Sequence, residues 1–446
     1  MNLIKQPLGF CLLLIVFLQN SLVVSVSAQT VSKTSRDKSS AVEERIKRVE
    51  NNLLPPVRIK GDPQGRMNIA ERMKHYKVLG VSIAVINDGK IEWARGYGVR
   101  EVGTNQPVTP ETLFQAASIS KPIAAAGALQ MVEDEKVILD EDVNNKLISW
   151  KVPENEFTKT EKVTLRRLLS HGAGLVMTDV SGKPFPRLMN ETVFKKLKMK
   201  NSTFEAPLPE KLRPQAAAAH NEKGEKLAGG WLVQPEAAAA GLWSTPTDLA
   251  RFAIELQTAY RGKSEKILSP ETVKQMMTRQ IGKWGLGVQL DGEGKAARFS
   301  HAGSNEGYRC IMLAYLETGQ GAVVMTNSDN AVPLVQEILR SIALEYGWTD
   351  YLPPEKEVVA VDPQKFAPYV GEYDSRGRGK WTVFIENGKL IFQPGSTFRF
   401  ELLPESETKF FVRERPDEVV FVKDAEGRVT EMILYLNGQE NRLKKL

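Results

Sequence analysis

Cysteine is nearly absent from this chain of 446 residues: there are two, Cys11 and Cys310. Cys11 lies in an apolar stretch that reads as a removable leader, so the mature chain keeps Cys310 alone and forms no internal disulfide. A lone cysteine in the apolar run Arg309-Cys-Ile-Met-Leu313 reads as a buried strand residue rather than a nucleophile. Histidine is scarce as well, with four in all, and no cluster of His, Cys, Asp and Glu has metal-ligand spacing. No phosphate-cradling loop is present, so the sequence implies neither a metal nor another cofactor. A true surplus of charge is also missing. The net charge of +6 is concentrated near the start, where residues 29–60 carry eight Lys/Arg against four Asp/Glu and Lys5 adds one more. The remainder is close to neutral, which excludes an electrostatic footprint for nucleic acid.

After residue 28 no apolar run is long enough to span a membrane. Before it, Lys5 gives a basic start, Cys11-Leu-Leu-Leu-Ile-Val-Phe-Leu18 an apolar core and Val26-Ser-Ala28 a small-residue cleavage site. This predicts a signal peptide over 1–28, cut before Gln29, and an exported protein, periplasmic or extracellular, with no stable membrane span after cleavage. The competing reading is an uncleaved anchor, which Gln19 and Asn20 weaken by interrupting the apolar run.

What is present points to two folded regions. Residues 29–61 read as a basic linker with a short amphipathic helix over 41–54, ended by Pro55-Pro56. Val81–Ile86 and Lys90–Tyr97 flank Asn87-Asp-Gly89, a hairpin signal. Helical patterns follow at 119–134, 163–170, 185–198, 246–260 and 270–279. Strand patterns return at 296–301, 307–316 and 320–326, and a helix is predicted over 332–346. Strands at both ends with helices between predict an α+β domain over 62–350, one sheet assembled from the two ends and covered by the helices. Pro353-Pro354 marks a boundary. Beyond it, strand-forming residues alternate with turns at Asn387-Gly388, Glu426-Gly427 and Asn437-Gly438, which predicts an all-β module over 355–446, a small barrel.

The strongest chemical signal is Ser118-Ile-Ser-Lys121, at the head of the nearly all-apolar run Pro122–Val132. A serine needs a neighbouring base to become a nucleophile. A lysine three residues on lies one helical turn away, on the same face. An apolar site lowers its pKa so that a neutral amine can be that base. The same spacing recurs at Ser35/Lys38 and Ser406/Lys409, but neither of those opens a buried helix. The competing reading of Ser118 is a helix N-cap beside a surface lysine. A second candidate element is Arg298-Phe-Ser-His301-Ala-Gly303-Ser304 on the first returning strand. Glycine there permits close approach of backbone or ligand, and a strand beside the nucleophile can offer an N–H to an oxyanion, with the Ser118 N–H as the second donor. His301 either orients substrate or is a surface residue at a strand end, and the residues alone leave both open.

With these elements the chain resembles the serine β-lactamase and penicillin-binding-protein group, in the class C branch that includes D,D-peptidases and esterases. Ser118-Ile-Ser-Lys121 matches the first family motif and His301-Ala-Gly303 the third, in its His-x-Gly form. Gly80-Val-Ser-Ile-Ala-Val85, Leu168-Leu-Ser-His-Gly-Ala-Gly-Leu175 and Ala239–Leu249 also match, and the resemblance spans roughly residues 62–346. It implies Ser118 as the acylated nucleophile and Lys121 as its base or proton relay. It implies N–H groups of Ser118 and Ser304, beside Gly303, as the oxyanion hole, His301 in place of the third-motif lysine, and His171 as structural. The C-terminal module is similar to the small β-barrels appended to such hydrolases. One departure stands out. The second family motif carries a tyrosine that shares the proton work, and it belongs between His171 and Asp179-Val-Ser-Gly-Lys-Pro-Phe185. Only seven residues separate His171 from Asp179, and no tyrosine occurs between Tyr97 and Tyr260. An in-frame deletion or a defective gene model produces such a junction, and the helical subdomain is predicted to be truncated.

The resemblance implies an exported serine hydrolase acting through a Ser118 acyl-enzyme on a small-molecule or peptide substrate: an ester, an amide or a D-amino peptide. Loss of the tyrosine would impair it. The alternative is a non-catalytic binding protein of the cell envelope.

Overall fold

Gly80–Asn87 and Lys90–Gly98 (β1 and β2) form the predicted hairpin, closed by Asp88-Gly89. The computed structural model describes residues 39–62, 66–169, 174–375, 377, 379–396, 398–436 and 439–446, with the backbone alone at 174–176. The stretch over 1–28 predicted as a signal peptide, the start of the basic segment, His171 and the predicted Asn437-Gly438 turn lie outside the described residues.

Three further strands come from the far end of the domain: Arg298–Asn305 (β4), Tyr308–Tyr315 (β5) and Gly321–Thr326 (β6). A short strand over Gln289–Asp291 (β3), which the apolar pattern does not announce, pairs with Arg298–Ser300. The sheet order is β2-β1-β6-β5-β4-β3, antiparallel throughout. The first strand of this sheet in chain order thus lies beside its last, with Val81 opposite Thr326. The two ends of the domain make one sheet, as the order of elements predicted. β1, β5 and β6 are buried almost throughout, so both faces are covered. On one face Ala84, Ile86, Met312, Val323 and Met325 share a core with Leu249, Phe252 and Leu256 of helix Pro246–Tyr260. Helix Val332–Tyr346 also packs on β5 and β6 and buries Leu334, Ile338 and Ile342. Two of the helices start as their sequences dictate: Thr245 and Ser269 accept from the N–H three residues on, and proline occupies the first turn.

Helix Ser120–Glu133 is buried on nearly every side from Pro122 to Met131 and belongs to the same core. Residues 39–51 are helical. Residues 50–446 form one compact unit. Within it the stretch read as the end of a linker is packed: Leu53, Leu54 and Val57 are buried, and Arg58–Ile59 pairs in parallel with Glu355–Lys356. Its apolar residues are spaced for burial, and proline only ended the helix.

The C-terminal module is an eight-stranded meander in which each strand neighbours the next. Its strands are Gly371–Asp374, Lys380–Glu386, Lys389–Pro394, Phe400–Pro404, Lys409–Val412, Glu418–Lys423, Val429–Leu436 and Gln439–Lys444 (β7 to β14). The ends nearly close the barrel: Tyr373 pairs with Lys445, and the Leu446 N–H donates to Glu372 O at 2.9 Å. The inward rows make a separate core in which Tyr369 stacks on Phe421 with ring centroids 4.4 Å apart.

Candidate active site

Ser118 does not start the long helix. It sits in a tight 3-10 turn, Ala117–Ile119, and the α-helix begins at Ser120. Ala117 has φ +49°, a left-handed conformation that costs an alanine roughly 1–2 kcal/mol. The surroundings hold it there. The Ala116 N–H donates to Leu242 O at 2.8 Å, and the buried Ser120 Oγ accepts from the Leu242 N–H at 3.0 Å. Neither this turn nor the helix has a side-chain N-cap, so the capping reading of Ser118 is excluded. The serine is half-buried and reachable between the fully buried Ala116 and Ile119.

Lys121 Nζ donates to Ser118 Oγ at 2.8 Å and to Ala239 O at 3.2 Å. Among the described residues it has no carboxylate partner. Burial therefore lowers its pKa without a compensating charge. A neutral Lys121 at this distance can accept the Ser118 proton.

Strand β4 packs against the same turn. A Cβ placed on Gly303 would lie 2.3 Å from Ala116 O and 2.7 Å from Cys310 Sγ. Cys310 is buried as expected, with Sγ 3.4 Å from Ala116 O, and burial pushes its thiol up to about 12. It is a packing residue. The two-residue turn Glu306-Gly307 makes Asn305↔Tyr308 the hydrogen-bonded closing pair of the β4–β5 hairpin. Counting back, the Ser304 N–H points away from β5, to the edge that β3 leaves open beyond Ser300. The strand runs on to Asn305, four residues past the predicted end, which brings Gly303 and Ser304 into regular pairing.

His301 is buried rather than a surface residue, 6% exposed, and shares the inward face of β4 with Gly303 and Asn305. Its Nδ1 lies 2.7 Å from Ala302 O, and its ring packs against Trp284 at 5.5 Å between centroids. Residues with no sequence signal complete the surroundings. Asn305 Nδ2 donates to Gln115 Oε1 at 2.7 Å and to Ala240 O at 3.2 Å, tying β4 to the segments that flank Ser118 and Lys121. A polar pair like this is visible only once the strands are assembled.

Where the second motif is expected, helix Gly174–Ser181 follows. Met177 is buried there, with its Cε 3.0 Å from the Cβ position of Gly127 on the Ser120–Glu133 helix. Asp179 accepts from the Ile148 and Ser149 N–H groups at 2.8 and 3.0 Å, which holds its carboxyl below the usual carboxylate range. No tyrosine comes from this side. Tyr308, the other conceivable donor of a phenol, is fully buried. Its hydroxyl donates to Ala217 O at 2.7 Å, and desolvation raises its pKa well above the ordinary value. His220 is structural: Nδ1 donates to Asn327 O at 2.9 Å, Nε2 accepts from the Val102 N–H at 3.1 Å, and burial lowers its pKa.

Comparison with known proteins fits this geometry. The beta-lactamase family model matches in two pieces, residues 66–179 and 172–346, which overlap where the tyrosine motif is expected. A domain of unknown function, DUF3471, matches residues 355–445, the barrel. Penicillin-binding protein 4* of Bacillus subtilis is 24% identical over 432 residues, covering 80% of this chain and 93% of its own. The teichoic acid D-alanine hydrolase of Staphylococcus aureus is 20% identical over 322 residues, 60% of this chain and 79% of its own. Among solved structures, the octameric penicillin-binding protein homologue from Pyrococcus abyssi superposes with a TM-score of 0.55 at 20% identity, over 84% of this chain and 98% of that one. Through residues 66–346, this chain belongs to the beta-lactamase family.

Proposed function

We propose that the chain is an exported serine hydrolase in which Ser118 is acylated by an ester, an amide or a D-amino peptide. The observation that carries this reading is Lys121 Nζ at 2.8 Å from Ser118 Oγ, desolvated and without a counter-ion among the described residues. Relatives named as a penicillin-binding protein and a teichoic acid D-alanine hydrolase support D-alanyl esters and amides as the first substrates to test. Neutral Lys121 takes the Oγ proton as Oγ bonds to the substrate carbonyl carbon. The oxyanion then lies between the N–H groups of Ser118 and Ser304. Collapse breaks the bond to the leaving group, which receives the proton from the Lys121 ammonium. Water, deprotonated in turn by Lys121, releases the acyl group and restores the serine. His301, fixed by Ala302 O and Trp284, lines the same strand and orients the substrate.

The missing tyrosine motivates the second part of the reading. Loss of one acid–base partner costs typically ~10²–10⁴ in rate, so turnover is slow, with Lys121 alone serving both half-reactions. A non-catalytic envelope-binding protein is the competing reading, and the sealed Tyr308 favours it. Labelling with a fluorophosphonate, peptide mapping and burst kinetics on p-nitrophenyl acetate separate the two. An adduct on Ser118 with a burst and slow steady turnover supports the hydrolase. No adduct on a folded chain supports the binding protein.

Two further outcomes are expected. Because the neutral lysine is the active form and its pKa is depressed, acylation rises with pH and levels off below the usual lysine value of 10.5. Lys121→Arg, which stays protonated, loses that limb. A pH profile of burst rates reads this directly. Tyr308→Phe leaves burst and turnover unchanged, because its hydroxyl is sealed in the core. Depriving the buried Ala217 O of its donor lowers stability by roughly 1–3 kcal/mol, measured by urea unfolding. A parallel loss of turnover would make Tyr308 the missing proton carrier. Export is tested by the mass of the mature protein, which should begin at Gln29.

A further inference from the structure

An eight-stranded barrel has an interior just wide enough to be filled by side chains or to hold one small ligand. This one does both, at opposite ends. Near the Pro363–Tyr369 turn the inward rows are packed with Tyr369, Phe410 and Phe421. Further along the same rows the filling stops. Val383 gives way to Trp381, Leu402 to Phe400, and Met432 to Leu434 and Leu436. Trp381, Phe400, Leu434 and Leu436 are among the residues that line a cavity of ≈ 250 Å³. An apolar cavity of about 150 Å³ is enough to admit benzene.

Aromatic groups dominate the walls. Trp381 meets Phe392 edge-on at 5.8 Å, and Phe398 stacks on Phe400 at 6.2 Å and 8°. Phe398 is nonetheless 59% exposed at the mouth, an aromatic ring that gains by burial against an apolar ligand. One charged pair stands beside this apolar surface. Asp417 is almost wholly buried and Arg415 half-exposed, with Arg415 Nε 2.7 Å from Asp417 Oδ2. The carboxylate holds the guanidinium by its Nε edge, and the guanidinium carbon lies 5.7 Å from the centroid of the Phe400 ring. Its Nη groups have no protein partner among the described residues. An arginine held this way presents two parallel donors, the geometry that suits a carboxylate.

We propose that the open end of this barrel binds a small apolar carboxylate, with one ring or a short acyl chain in the aromatic lumen and the carboxylate on the Nη groups of Arg415. The apolar part supplies most of the affinity through burial, and the arginine selects for the anion. The buried carboxylate at the mouth disfavours a ligand anion unless Arg415 stands between them, so selectivity depends on that one side chain. The site lies in the domain of unknown function rather than in the hydrolase sheet, and it stands whether or not Ser118 is catalytic.

The test uses the full-length mature chain and two isosteric probes, 3-phenylpropionate and 3-phenylpropanamide, titrated calorimetrically. The acid should bind saturably and at least about tenfold more tightly than the amide, the scale of a single charge-assisted contact. Arg415→Gln should reduce the acid to the level of the amide and leave the amide unchanged, an outcome that general loosening of the barrel would not produce. Leu434→Trp, which fills the lumen, should abolish binding of both. Absence of saturable binding by the acid overturns the proposal. So does acid binding that survives Arg415→Gln undiminished, or binding that persists in folded Leu434→Trp, which would place the probe elsewhere. Should Leu434→Trp fail to fold, the acid–amide difference in Arg415→Gln decides alone.

Discussion

Ser118→Ala yields a folded chain that forms no fluorophosphonate adduct and hydrolyses p-nitrophenyl acetate at least ~10⁴-fold more slowly, the scale of loss when a catalytic nucleophile is removed. The hydroxyl can be deleted without harm to the fold. It caps no helix. Its hydrogen-bond partner Lys121 keeps Ala239 O at 3.2 Å. Substitutions of this kind stay within about 0.5 kcal/mol, so the loss reads as chemistry rather than unfolding. Lys121→Met should cost nearly as much, and the double variant no more than either single one, because groups that act as a unit are not additive. The stability effects run the other way. The Lys121→Met change removes a half-buried amine whose charged form is disfavoured, so that variant unfolds at equal or higher urea. Turnover by Ser118→Ala equal to that of the parent chain would end the acyl-enzyme reading.

The parts of this molecule that were legible in the sequence are those fixed by local pattern. Asn87-Asp-Gly89 announced its hairpin because positive φ at Asp88 and Gly89 is what the turn requires. The apolar run after Lys121 announced a buried helix. The strands of the barrel followed from turn residues between alternating rows, and the joining of the two ends of the chain in one sheet followed from element order. What was not legible depends on residues distant in sequence. Ala117 carries the backbone strain, yet nothing about an alanine marks it. The second acceptor for Lys121 is a backbone carbonyl 118 residues away. The ring that packs against His301 is that of Trp284, which stands in an irregular loop beside the three-residue β3. Another local signal lies at Asn68, which is followed three residues later by Glu71, caps helix Ile69–Tyr76 and accepts from the N–H of Ala70 at 2.8 Å.

Gly303→Ala is expected to have the second large effect, although alanine suits the backbone at this position. Gly303 has no positive φ, so its need for glycine comes entirely from space. The added methyl would stand 2.3 Å from Ala116 O and 2.7 Å from Cys310 Sγ. Neither can withdraw freely. Ala116 is tied to Leu242 O at 2.8 Å and precedes the strained Ala117, while Cys310 lies in β5, paired with Met325 of β6. Strand β4 must move instead, and Ser304 moves with it. With Ser304 as the proposed oxyanion donor, a displacement near 1 Å costs about 10²-fold in rate, and the overpacked contact costs roughly 1–3 kcal/mol of stability. The Ser118–Lys121 pair is on the other side of the contact, so the pH limb of acylation should stay where it is while its height falls. Trimming the softer neighbour supplies the control. In Gly303→Ala/Cys310→Ala the sulfur is gone, but the Ala116 carbonyl still blocks the methyl, so activity should remain depressed. Full recovery in the double variant would mean that the strand is set by the cysteine and not by close approach of β4 to the nucleophile turn.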